Sequence, residues 1–176
     1  MLTKLAVALL AVALARAGGA EAPAEEYRVK GAFLLNFAKF VEWPPEVFKT
    51  AEDPIAICVI GSNPFSAALD EAARQVVVDK RTVLIRPIPD AQQARQCQIV
   101  FVSASEHKRA KAVLEAVRGA SVLTVGETEG FIAAGGVIEF RVEDSKVRME
   151  ISAAAAKLAG LHISAKLLSL SQPAKR

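Results

Sequence analysis

Apolar residues recur along this chain at two different spacings, and the change from one to the other divides it. From residue 25 to 42 the sequence EEYRVKGAFLLNFAKFVE brings Phe33, Phe37, Phe40 and Val41 onto one helical face. Trp43-Pro44-Pro45 stops that helix, because a proline pushes the residue before it out of the α region. The run Ile55-Ala-Ile-Cys-Val-Ile60, closed by Gly61-Ser62-Asn63-Pro64, is apolar at every position and predicts a strand covered on both faces. A helix is predicted from Pro64 to Arg74, and a strand from Thr82 to Ile88. Another strand follows from Gln98 to Val102. An amphipathic helix from Ser105 to Arg118 turns Val113, Leu114 and Val117 inward, and a strand runs from Val122 to Val125.

Past Gly126 the apolar period shortens to two. Ile138, Phe140 and Val142, then Val147, Met149 and Ile151, alternate with polar residues around Asp144-Ser145, the pattern of an antiparallel hairpin. Counting back from a two-residue turn pairs Val142 with Val147, Phe140 with Met149, Ile138 with Ile151, and Arg141 with Arg148. A small alanine-rich helix from Ala153 to Ala159 ends at Gly160 in the left-handed cap position. Ser164 caps a last helix carrying Leu167, Leu168 and Leu170. Strands alternating with helices, followed by a hairpin, define the expected fold class. It is α/β, a single layered domain with a mainly parallel sheet flanked by helices on both faces and a C-terminal antiparallel β-hairpin.

The first residues change the picture of where this fold works. Lys4 precedes an apolar run from residue 5 to 15, and Arg16-Ala17-Gly18-Gly19-Ala20-Glu21-Ala22 supplies small residues for cleavage. Residues 1–22 read as a signal peptide and 23–176 as the mature domain. The apolar run is too short to span a bilayer, and no second long one follows, so no membrane span is expected after cleavage. The leader carries two positive charges and one negative, so the exported chain is nearly neutral although the full sequence has a net charge of +3. A nucleic-acid partner has no electrostatic support. The chain has two cysteines, Cys58 and Cys97. In an exported protein they favour a disulfide, with two buried free thiols as the alternative; their spacing gives no CxxC motif.

Candidate chemistry is sparse. No GxSxG, dinucleotide fingerprint or phosphate loop occurs, and no cofactor, metal or catalytic residue is expected. His107 and His162 read as surface or capping residues, and Glu25-Glu26 and Glu127/Glu129 as carboxylates without a framing motif. Lys30 and Asn36 border the apolar helix face as a snorkelling lysine and a backbone-bonded amide. Arg141 and Arg148 form a face neutralised by Glu139, Glu143 and Glu150. Two loops, 61–65 and 103–105, follow strand C-termini, where α/β folds place ligands.

These residues occur in a recognisable order. The run Tyr27-x-Val29-Lys30-x-Ala32-Phe33-Leu34-x-Asn36-Phe37-Ala38-Lys39-Phe40-Val41-x-Trp43-Pro44 resembles the N-terminal signature of the YfiR family. Cys97-Gln98-Ile99-Val100-Phe101-Val102-Ser103, Gly135-Gly136-x-Ile138-x-Phe140 and Leu161-x-Ile163-Ser164-x-Lys166-Leu167-Leu168-x-Leu170 continue it. The resemblance implies a non-enzymatic periplasmic regulator, commonly a homodimer. Such a protein restrains an inner-membrane diguanylate cyclase by binding its periplasmic sensor region, lowering cyclic di-GMP and biofilm formation. It also implies a disulfide between Cys58 and Cys97. The chain departs from the family in having no second cysteine pair and in carrying Ser152 where asparagine is usual. The expected docking surface is the C-terminal segment Leu161, Ile163, Leu167 and Leu170 with the adjoining hairpin. The competing reading is a periplasmic small-ligand sensor acting on another membrane signalling protein, such as a histidine kinase.

Overall fold

The structure is a computed structural model that describes residues 21–172; residues 1–20 of the expected signal peptide lie outside it. Helix α1, Glu21–Phe40, runs straight into a two-residue strand β1, Val41–Glu42. The chain then alternates: β2 Ile55–Ile60, α2 Ala67–Arg74, β3 Val77–Val78, β4 Arg81–Ile88, β5 Ile99–Val102, α3 Ala110–Ala116 and β6 Leu123–Gly126. The hairpin strands β7, Ile138–Glu143, and β8, Lys146–Ile151, follow, and then α4 Ala153–Leu158, β9 His162–Ile163 and α5 Ala165–Leu168.

Seven strands form one sheet in the order β3-β4-β2-β5-β6-β7-β8, and β1 pairs with β9 in a separate ribbon. The five inner strands are parallel, with β3 and β8 antiparallel at the two edges. Side chains alternate across the sheet and feed two cores. On one face Ile57, Val59, Ile99, Phe101, Leu123 and Phe140 meet Leu34, Phe37 and Ala38 of α1, Ala73 of α2, Ala156 of α4 and Leu167 of α5. On the other, Cys58, Ile60, Val100 and Val102 lie beneath Ala110, Val113 and Leu114 of α3 and Phe131. Both faces are therefore covered, as the unbroken apolar run of β2 requires. Phe33, Phe37 and Phe140 interlock with ring centroids about 6 Å apart, fastening α1 to the hairpin. Gly31 lets α1 close onto α2, since a Cβ there would stand 2.9 Å from a Leu69 methyl.

The hairpin register is the expected one, with Val142 opposite Val147, Phe140 opposite Met149 and Arg141 opposite Arg148. Asp144 and Ser145 take the positive φ values of 50° and 58° that a two-residue turn needs. Ser152 Oγ accepts from Ala155 N, and Ser164 Oγ from Leu167 N, so both serines cap their helices. Gly160 ends α4 at φ 69°. The helix expected from Ser105 to Arg118 is broken into a 3₁₀ turn, Ala104–Glu106, and α3. The cause is local: Ser105 Oγ is held by Ser62 N of the neighbouring loop, and Glu106 is buried with Arg109 on its carboxylate. After β8, the chain returns along that strand's outer edge, where Gln172 N donates to Met149 O and Ile151 N to Ser171 Oγ.

Candidate functional site: a filled crevice at the strand ends

Strand β2 sends the chain through α2 to β4 on one side, while β5 flanks it on the other, so the winding reverses between β2 and β5. In open α/β sheets that reversal leaves a crevice at the carboxyl ends of the strands, the ordinary place for a ligand. The loops 61–65 and 103–105 do meet there: Ser62 N donates to Ser105 Oγ at 2.9 Å and Ser103 N to Ile60 O at 3.1 Å. Gly61, at φ 91°, makes the approach possible, because a Cβ would fall 2.5 Å from Ser105 Oγ.

The crevice is occupied by the protein itself. Tyr27 of α1 stands edge-on against Phe65, and Phe65 against Phe101 of β5. One turn on, Lys30 points its ammonium into the gap and binds Glu127 Oε2 at 2.6 Å and Glu26 Oε1, with the Tyr27 ring 4.7 Å from Nζ. Glu127 follows directly on β6; its Oε1 accepts from Ala104 N at 2.8 Å and from the Tyr27 hydroxyl at 3.5 Å. The Lys30 and Glu127 side chains are only 4% and 2% exposed.

Burial pulls the Lys30 ammonium toward deprotonation, but the hydrogen bonds to Glu127 and Glu26, with their charges, outweigh it and hold its pKa above the ordinary 10.5. Burial, reinforced by the Glu127 charge, raises Tyr27 above its ordinary 10.0. A lysine held protonated this way is neither a nucleophile nor a base; it is a counter-ion. Among the described residues no buried side-chain polar atom lacks a hydrogen-bond partner.

This corrects one reading. Lys30 does not snorkel: it meets Glu127, a carboxylate with no framing motif in the sequence, across 97 residues. The rule that singled out the loops after β2 and β5 applies equally to the first residue after β6, and would have found Glu127. Three of the four expected docking residues are corrected too. Leu161, Ile163 and Leu167 are buried in the main core, because β9 pairs with β1 beside α4 and α5 packs against α1, and of the four only Leu170 is half-exposed. Leu168, beside them, is 37% exposed. Arg141 is held by Glu150 at 2.6 Å, by Glu143 at 3.3 Å and by Gln172 O at 2.8 Å, so its charge is neutralised within the hairpin face. Asn36 is half-buried and His107 is exposed, while His162 pairs at 3.4 Å with Glu42 on the surface.

Cys58 and Cys97 form a disulfide, buried at 0% and 2% exposure, that ties the central strand to the segment entering β5. Arg86, opposite Cys58 on β4, lays its Nε 3.4 Å from Cys58 Sγ. Two open grooves remain, one of about 630 Å³ between α1 and the hairpin tip and one of about 720 Å³ between α3, α4 and the loop before β7. Among the described residues no cluster of three or more His, Cys, Asp or Glu could hold a metal, and no helix is long and apolar enough to cross a membrane.

The fold and its closed crevice describe a two-faced α/β module that spends its strand-end polar groups on internal bonds. The chain belongs to the YfiR/HmsC-like family, whose model matches residues 27–172. That family is regulatory and periplasmic rather than enzymatic. No curated protein matches the chain significantly. Among solved structures, a conserved domain protein from Vibrio cholerae O1 biovar El Tor is similar at a TM-score of 0.50 and 11% identity, over 66% of this chain and 53% of that one. The chain thus spans about half the length of that protein, and the likeness is one of fold.

Proposed function

We propose that this protein is a periplasmic negative regulator that binds and restrains the sensor region of an inner-membrane diguanylate cyclase, lowering cyclic di-GMP and biofilm formation. The observation that carries the reading is family membership across nearly all of the described chain. The filled crevice is in keeping with it, since a protein that acts by docking needs a rigid surface rather than an open ligand site. Restraint requires only that the regulator bind the inactive form of its partner more tightly than the active form. Turning a mostly active cyclase into a mostly inactive one takes an affinity ratio of about 10⁴.

Docking is assigned to the C-terminal end of α5, where Leu168 and Leu170 stand exposed beside the hairpin edge. The test is a gene deletion with cyclic di-GMP quantified, complemented by the exported wild type and by an exported Leu168→Asp/Leu170→Asp variant. The deletion is expected to raise cyclic di-GMP and the wild type to restore it. The variant, melting as the wild type does, is expected to fail. No change on deletion would overturn the regulator reading; full complementation by the variant would overturn only the docking surface.

A further inference from the structure

The polar groups around Glu127 converge as donors do on a bound anion. Lys30 Nζ arrives from α1, the Ala104 N–H from the turn after β5, and the Tyr27 hydroxyl from one turn earlier in α1; all three reach a single carboxylate. Each donor is held by contacts that do not involve Glu127. Ala104 lies in a 3₁₀ turn fixed by Ser103 N on Ile60 O and Glu106 N on Ser103 O. Tyr27 is set by its edge contact with Phe65, and Lys30 lies on the rigid helix over the Tyr27 ring. The position, at the carboxyl ends of parallel strands beside a winding reversal, is where this class of sheet takes up ligands.

We infer that the crevice is a carboxylate-binding site which the chain fills with its own Glu127, so that truncating this side chain opens a site for a free monocarboxylate. The size of the missing group makes the inference specific. Replacing glutamate by alanine removes one methylene and one carboxylate, which together match acetate in volume and charge. A neutral isostere of the same shape supplies no charge, leaving the buried ammonium with Glu26 alone, and gains little. In the wild type the site is closed to small acids, so any ligand response of the natural protein arises elsewhere. The inference does not depend on the identity of the membrane partner.

The experiment is thermal unfolding of Glu127→Ala in increasing sodium acetate, with acetamide and sodium chloride as controls at matched concentration. The variant is expected to melt well below the wild type. Acetate and formate are expected to raise its melting temperature saturably, as binding to the folded state alone requires. Acetamide and chloride are expected to leave it unmoved, and the wild type not to respond to any of them. In Lys30→Met/Glu127→Ala the acetate response is expected to vanish. If Glu127→Ala does not fold unaided, its refolding yield from urea in acetate against chloride reads the same property. Equal responses to acetate and acetamide, or an equal acetate response in the wild type, would overturn the inference. So would Glu26 taking over Lys30, seen as no acetate response in a stably folded variant.

Discussion

Lys30 illustrates how much one buried charge can govern. Its ammonium and the Glu127 carboxylate are both out of water; Lys30 also pairs with Glu26, whereas among the described residues Glu127 forms an ion pair with Lys30 alone. Lys30→Met leaves Glu127 buried and unpaired, and is expected to cost about 3–5 kcal/mol in a urea titration. The pH dependence has a definite sign. Because the folded pKa of Lys30 lies above 10.5, its contribution is complete below that pH and is lost as the pH rises through the folded value. Tyr27, raised above 10.0, resists ionisation in the fold, so its effect also appears as falling stability above pH 10.0. The wild type should therefore lose stability on the alkaline side more steeply than Lys30→Met/Tyr27→Phe. Parallel curves from pH 8 to 11 would show that Lys30 and Tyr27 do not set the alkaline limit of stability. No sequence period points to this pair, because a long-range ion pair leaves no local pattern; the strand-end rule for Glu127 was the one available signal.

Elements were legible in proportion to how local their causes are. The register of the hairpin followed from alternation and turn length, and the caps of α4 and α5 from single serines at the right offset. The strand β3 was not legible. Its turn to β4 uses Asp79 and Lys80 at φ 47° and 71°, a left-handed pair that carries neither glycine nor asparagine to announce it. The two-residue ribbon of β1 and β9 was missed because two residues are too few to show a period. The disulfide belongs to this scale, since it joins a strand to the approach of its neighbour across a separation of 39 residues. In the chain-entropy model that closure stabilises the fold by about 4 kcal/mol. Cys58→Ala/Cys97→Ala should lower the unfolding free energy by an amount of that order, and under the proposed function repression should fall with protein abundance. Full stability with lost repression would instead make the bond a direct switch. Burial beneath α3 also predicts that mild reductants leave the folded protein oxidised.

For the whole molecule, the sequence reading and the structure agree on layers and disagree on surfaces. The α/β order, the covered sheet and the terminal hairpin follow from periodicity, whereas the exposed apolar surface required knowing which leucines of 161–170 the core consumes. Leu167 at 1% exposure and Leu170 at 50% are three residues apart on one short segment, and apolarity alone does not separate them. What separates them is α1: the helix that closes the crevice at one end receives α5 at the other, and the residues facing it are spent on the core.

The two residues that lie along β8 have a consequence for how the protein can be handled. Ser171 and Gln172 cover part of an edge strand whose backbone would otherwise offer free hydrogen-bonding groups to any extended chain. A chain ending at Leu170 should keep its core yet expose that edge. It should self-associate with rising concentration in sedimentation, while the full chain under the same conditions does not. A purification tag fused close behind Gln172 would lie beside this seam. A rigid or strand-forming tag there competes for the same edge, so the N-terminal side of the mature chain, or a long glycine-serine spacer, is the safer place for one.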